Sequence, residues 1–118
     1  MISMSLSSLH SVPVRYMRIF VFFDLPVDTS RDRRNYRVFR RELIKQGFVM
    51  LQESVYVKIT LTNAVTVAAI ENVRKICPDR GTIHILKVTE KQFSDIVDIN
   101  NSGALESSVM SSDSVVIL

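Results

Sequence analysis

The sequence predicts a small α+β sandwich whose elements follow the order β-α-β-β-α-β. Three observations carry this expectation. Short runs of β-branched and aromatic residues recur at Met17–Asp24, Phe48–Leu51, Ser54–Ile59 and Thr82–Thr89. Between the first and second runs, and between the third and fourth, apolar residues fall instead at helical spacing. Punctuating residues mark the changes of period: Pro26, Gly47, Asn63, Pro78 and Gly81. With 118 residues and 47 % apolar content, the chain can build one core but not two.

The first strand is Met17-Arg18-Ile19-Phe20-Val21-Phe22-Phe23-Asp24, stopped by Leu25-Pro26. Ile19, Val21 and Phe23 alternate with Phe20 and Phe22, so both faces of this strand are apolar. Asp24 is a lone carboxylate where the strand leaves the core. An isolated carboxylate in such a place is costly unless paired, protonated or metal-bound. Two uses stand side by side: capping the next turn, or chemistry.

Asp28-Thr29-Ser30-Arg31-Asp32 is a helix-start signal, with Thr29 and Asp32 spaced as a capping box. The helix is expected from about Ser30 to Gln46, with Gly47 as its stop. Tyr36, Phe39, Leu43 and Ile44 supply its buried stripe, and Arg33, Arg34, Arg37, Arg40 and Arg41 fall on the remaining arc. From Arg31 to Lys45 seven cations meet two acids, seven minus two giving +5, whereas the whole chain carries +3. Such a concentrated basic face is the electrostatic footprint of a polyanion partner.

In the third strand Val55, Val57 and Ile59 share one face, and Ser54, Tyr56 and Lys58 the other. Ser54 and Tyr56 are candidate phosphate contacts, although Tyr56 also suits plain packing with its hydroxyl at the surface. Asn63 is read as the cap of a second helix reaching about Ile76, with Ala69, Ile70, Val73 and Ile76 facing inward. Arg74 and Lys75 suit its C-terminal dipole. The fourth strand follows from Thr82 to Thr89, and Glu90-Lys91-Gln92-Phe93 makes a helical turn.

This order is that of a ferredoxin-like fold. It sets both helices on one face of an antiparallel sheet and leaves the other bare. With the first strand apolar on both faces, a homodimer formed by stacking two sheets is the economical arrangement. Asn100 to Ser114 holds six serines and reads as a linker, and Val115-Val116-Ile117-Leu118 as a strand docking on a sheet edge of this subunit or its mate. The chain thus divides into a flexible extension (1–15), a ferredoxin-like domain (16–99) and a linker with C-terminal dimer-docking strand (100–118).

One cysteine, Cys77, excludes an intramolecular disulfide, and His10 and His84 make no zinc cluster. No apolar stretch reaches the roughly 18 residues of a membrane helix, and Met1–Arg15 lacks a signal-peptide pattern. A cytoplasmic protein without membrane contact is expected.

A strand ending in a lone Asp, Leu25-Pro26, Asp28-Thr29, a basic helix, Gly47-Phe48, Ser54-Val55-Tyr56 and Thr89-Glu90-Lys91-Gln92-Phe93 form a specific succession over some eighty residues. In it the chain resembles the small CRISPR-associated endoribonuclease family, Cas-two, and is most similar to its type II branch. The resemblance implies a ferredoxin-like homodimer with a C-terminal strand exchanged or docked across the interface. It implies an adaptation role, in which the dimer holds protospacer duplex DNA and bridges two dimers of the integrase Cas-one during spacer acquisition. It also implies Mg2+-dependent endonuclease activity on single-stranded RNA or duplex DNA, with Asp24 as catalytic residue and metal ligand, its two copies facing across the dimer axis.

The residues themselves weigh these roles differently. Mg2+ takes hard oxygen ligands and keeps several waters, so one or two carboxylates can suffice. No second acid lies within the first strand, and no acid–base constellation is visible in the sequence. Arginine forks match phosphate geometry and set register without reading sequence. Arg31, Arg33, Arg34, Arg37, Arg40 and Arg41 therefore favour nucleic-acid binding and the scaffold role. Metal-dependent endoribonuclease, and ferredoxin-like toxin or regulator, are the alternatives.

Overall fold

The computed structural model describes residues 16–103 and Leu105; the expected extension (1–15) and docking strand (115–118) lie outside the described residues. Strand β1 (Met17–Asp24) leads to helix α1 (Ser30–Lys45), then β2 (Val49–Gln52), β3 (Val55–Thr60), helix α2 (Asn63–Lys75), β4 (Thr82–Thr89) and the short helix α3 (Glu90–Ser94). The strands make one antiparallel sheet in the order β2-β3-β1-β4. This is the ferredoxin-like arrangement, with the doubly apolar β1 between two neighbours.

Local chemistry explains the element boundaries. At the start of α1 the Thr29 hydroxyl accepts from the Asp32 N–H at 3.0 Å, and the Asp32 carboxylate accepts from the Thr29 N–H at 3.3 Å. The expected capping box is formed. At the other end Gly47 has φ +93°. Its N–H donates to the Ile44 carbonyl and the Phe48 N–H to that of Leu43, closing a Schellman turn that a side chain at Gly47 would strain. Lys58 Nζ donates to the Gln46 carbonyl at 2.6 Å, placing a cation on the helix C-terminus. Helix α2 corrects one expectation: its cap is Thr62 and not Asn63, because the Thr62 hydroxyl reaches the Val65 N–H at 3.2 Å.

The main core lies between the sheet and helices α1 and α2. Ile19, Val21, Phe23 and Tyr56 from the sheet meet Phe39, Leu43, Ala69 and Val73 from the helices. Two expectations fail here. Ile44 is exposed, since Phe39 and Leu43 with Tyr36 already fill the width of α1 that faces the sheet. Tyr56 is fully enclosed, 0 % exposed, and not at the surface, because its register opposite Val21 turns it towards the helices.

The second face of the sheet is not wholly bare. Phe20 and Val57 are covered by Phe93 of α3, with Leu51, Val55, Val88 and Leu105 packed around them. A buried arginine fastens this cover. Arg18, 3 % exposed, donates from Nε and Nη2 to the two carboxylate oxygens of Glu90, and its guanidinium lies 4.0 Å from the Phe93 ring centre. Phe22, towards the other end of β1, and Leu86, opposite Phe20 on β4, stay exposed at 37 % and 50 %. Phe93→Ala is expected to lower unfolding free energy by about 3 kcal/mol. Urea denaturation measures this, and an effect below about 1 kcal/mol would show that α3 adds little to the core.

Candidate functional site

Asp24 ends β1 opposite Thr82, the last pair of the β1–β4 ladder. Its neighbours hold it from three sides. Phe23 is locked in an aromatic cluster, edge-on to Phe39 at 5.1 Å and Tyr36 at 5.8 Å, and 5.7 Å from Tyr56. The Phe23 N–H donates to the Ser54 carbonyl at 3.0 Å, so the strand end is tied to the turn before β3. On the other side Gly81, at φ +99°, comes so close that an added Cβ would stand 2.7 Å from the Asp24 carbonyl oxygen. Only glycine fits this approach.

The segment carrying Gly81 is itself anchored to the start of α1. Arg80 Nη1 donates to both Asp32 oxygens, at 2.8 and 2.9 Å, and Arg31 stands 3.7 Å from Asp79. Asp32 is buried, and burial acts to raise its pKa. Hydrogen bonds from the Thr29 hydroxyl and backbone, with the Arg80 charge, outweigh that and hold the carboxyl below its ordinary value of 3.8.

The Asp24 side chain is exposed and opens onto a shallow depression lined also by Phe22, Ser54, Val55, Thr82 and His84. Asp24 is the one carboxylate there, with no ion pair or hydrogen bond to its side chain among the described residues. Among those residues no three His, Cys, Asp or Glu side chains gather as a metal cluster. A single chain therefore offers a minimal donor set, one carboxylate with hydroxyls nearby. That suits a hard cation keeping most of its waters, and a second copy of Asp24 would strengthen it.

Of the two candidate phosphate contacts, the structure brings Ser54 to this depression and encloses Tyr56 in the core. Burial pushes the Tyr56 phenol up, against the opposing effect of the nearby Arg40 guanidinium. A wholly enclosed side chain is not presented to a phosphate. His84 joins the depression although the sequence placed it only in a strand; the signal was its even spacing from Thr82.

The arginines of α1 form a separate surface. Arg31, Arg33, Arg34, Arg37, Arg40 and Arg41 are all exposed. Arg33 donates to the Val27 and Asp28 carbonyls, at 3.0 and 3.3 Å, and Arg31 approaches Asp79. Arg34, Arg37 and Arg41 have no hydrogen-bond or ion-pair partner among the described residues. Their i, i+3, i+7 spacing aligns them as one stripe.

Fold and site together define a ferredoxin-like α+β domain whose central strand ends in an exposed carboxylate and whose first helix carries an open arginine stripe. The family described as CRISPR associated protein Cas2 matches residues 17–96. The chain is 42 % identical over 98 residues to the CRISPR-associated endoribonuclease Cas2 of Streptococcus mutans serotype c, covering 83 % of this chain and 88 % of that protein. The protein of the same name from Treponema denticola is 47 % identical over 78 residues, 66 % of this chain and 77 % of its own length. That from Lacticaseibacillus rhamnosus is 45 % identical over 80 residues, 68 % and 79 %. The chain belongs to the Cas2 family. Among the described residues no helix is long and apolar enough to cross a membrane.

Two outcomes follow for the frame around Asp24. Gly81→Ala forces a side chain into left-handed backbone and against the Asp24 carbonyl, so a loss of about 1–3 kcal/mol is expected. Amide resonances of Asp24 and Leu25 should move most; unchanged spectra would show that the contact is slack. Asp32, whose folded pKa is lowered, contributes stability that is present above its ordinary pKa and lost as pH falls through the folded value. Asp32→Asn is therefore expected to melt below wild type at about pH 6, with the gap closing on acidification below about pH 4. A gap independent of pH would mean that the carboxylate charge is not what anchors Arg80.

Proposed function

We propose that this chain is the central homodimer of a CRISPR spacer-acquisition complex. It holds protospacer duplex DNA and bridges two dimers of the integrase Cas-one. The observation that carries this reading is the stripe Arg34, Arg37 and Arg41, exposed on α1 and free of internal partners among the described residues. A charge run serving solubility alone has no need of three aligned guanidinium groups, whereas phosphates reward them. Dimerisation is supported by Phe22 and Leu86, exposed on the sheet face opposite the two long helices. Covering them with a second copy would also bring two Asp24 strand ends towards one another.

A second reading has its own support. The curated relatives are named endoribonucleases, and Asp24 stands exposed in its depression. In this reading Asp24 from each copy holds Mg2+, and Ser54 and Thr82 orient a phosphodiester of single-stranded RNA or duplex DNA beside it. Mg2+ would polarise the phosphoryl oxygen or activate a water. The chain supplies no histidine–carboxylate pair for proton transfer in hydrogen-bond contact among the described residues, so any cleavage leans on the cation.

Duplex binding tests the first reading. Three arginines from each copy neutralise six phosphates, giving a log–log salt slope of roughly −5 for wild type. Replacing Arg34, Arg37 and Arg41 by alanine should flatten that slope towards zero and weaken binding alike for all sequences. Unchanged affinity and slope would sink the scaffold reading. Asp24→Ala separates the two: binding, dimerisation and integrase co-purification should persist, while any Mg2+-dependent cutting should disappear.

A further inference from the structure

The ladder register places Phe22 opposite His84 and Asp24 opposite Thr82. Side chains alternate along each strand, so Asp24 and His84 leave the sheet on the same face, diagonal to one another. Such diagonal neighbours stand about 7–8 Å apart, within reach of a common small ligand for side chains of this length. Both line the one depression, whose floor is apolar through Phe22 and Val55. Both are exposed, and neither side chain has a hydrogen-bond or ion-pair partner among the described residues.

We infer that His84 is a second donor of the Asp24 site, and that this site takes a nitrogen-accepting divalent transition cation in preference to Mg2+. The inference rests on the reading of Asp24 as a metal ligand and adds a donor and a selectivity to it. Carboxylate and water ligands alone suit Mg2+, Ca2+ and Mn2+, whereas imidazole raises affinity for later first-row ions. Ser54 and Thr82 add hydroxyl oxygens at the rim.

Isothermal titration of the full chain with Co2+ and with Mg2+, one ion at a time, tests this. His84→Ala is expected to weaken Co2+ binding about tenfold or more while leaving Mg2+ affinity unchanged. The visible absorption of bound Co2+ should change with it, as a nitrogen ligand is lost. Asp24→Asn is expected to abolish binding of both ions. Both side chains are exposed, so far-UV circular dichroism of the variants should match wild type; His84→Gln serves if His84→Ala does not fold. Unchanged Co2+ affinity and spectrum in the His84 variant, with binding lost in Asp24→Asn, overturn the role of His84 and leave the Asp24 reading standing. If Asp24→Asn keeps Co2+, the shared site is overturned, and if it also keeps Mg2+, or wild type binds neither ion, the metal reading of Asp24 falls as well.

Discussion

Burying a central strand that is apolar on both faces is the constraint from which the rest of the architecture follows, and the two faces of β1 are solved differently. Towards the helices, Ile19, Val21 and Phe23 are covered by residues of α1 and α2, the usual two-layer solution. On the far side the short helix α3 is the main cover among the described residues, and it is held by an arginine inside the sheet. Arg18 lies opposite Val88, so the helix beginning at Glu90 starts beside it. A buried guanidinium is tolerable only with its charge paired and its planar face packed. Glu90 and Phe93 provide one each. Register thus decides that the cover sits at the Arg18 end.

The cover stops short of the other end, where Phe22 and Asp24 remain exposed. That end is open but not loose. Phe23 is wedged among aromatic rings, Gly81 presses on the Asp24 carbonyl, and the Asp32–Arg80 pair ties the β4 approach to the start of α1. The same Asp32 closes the capping box of α1. One carboxylate therefore sets both where the arginine helix begins and how the loop beside Asp24 is held.

Periodicity made most of this legible in the sequence. β1 and β4 follow from apolar runs with clear stops, and the α1 cap from Thr29 and Asp32, since local chemistry settles each. Readings that needed three dimensions were missed. Whether Tyr56 or Val55 faces the helices depends on pairing with Val21, which alternation alone cannot assign. Ile44 sat at helical spacing but beyond the width that the sheet covers. Thr62 won the cap of α2 from Asn63 by one residue, where both side chains are good acceptors. The Arg18–Glu90 pair spans 72 positions, and His84 meets Asp24 only through the β1–β4 register, so neither had a local signature.

The electrostatics of the two surfaces would make the two proposed roles, binding and cutting, separable. A phosphate is attracted to Arg34, Arg37 and Arg41 without help, because each guanidinium is exposed and uncommitted among the described residues. A bare Asp24 carboxylate does the opposite, repelling any phosphate that approaches within a Debye length, about 8 Å at physiological salt. Nucleic acid could therefore dwell on the helix with Asp24 idle, whereas an approach to Asp24 would be favoured by a cation between them. On the proposed reading, holding a duplex would ask nothing of the strand end, whereas chemistry there would need a cation and a second carboxylate. With one carboxylate in its depression and three open guanidinium groups on its first helix, a single chain offers more to binding than to cutting.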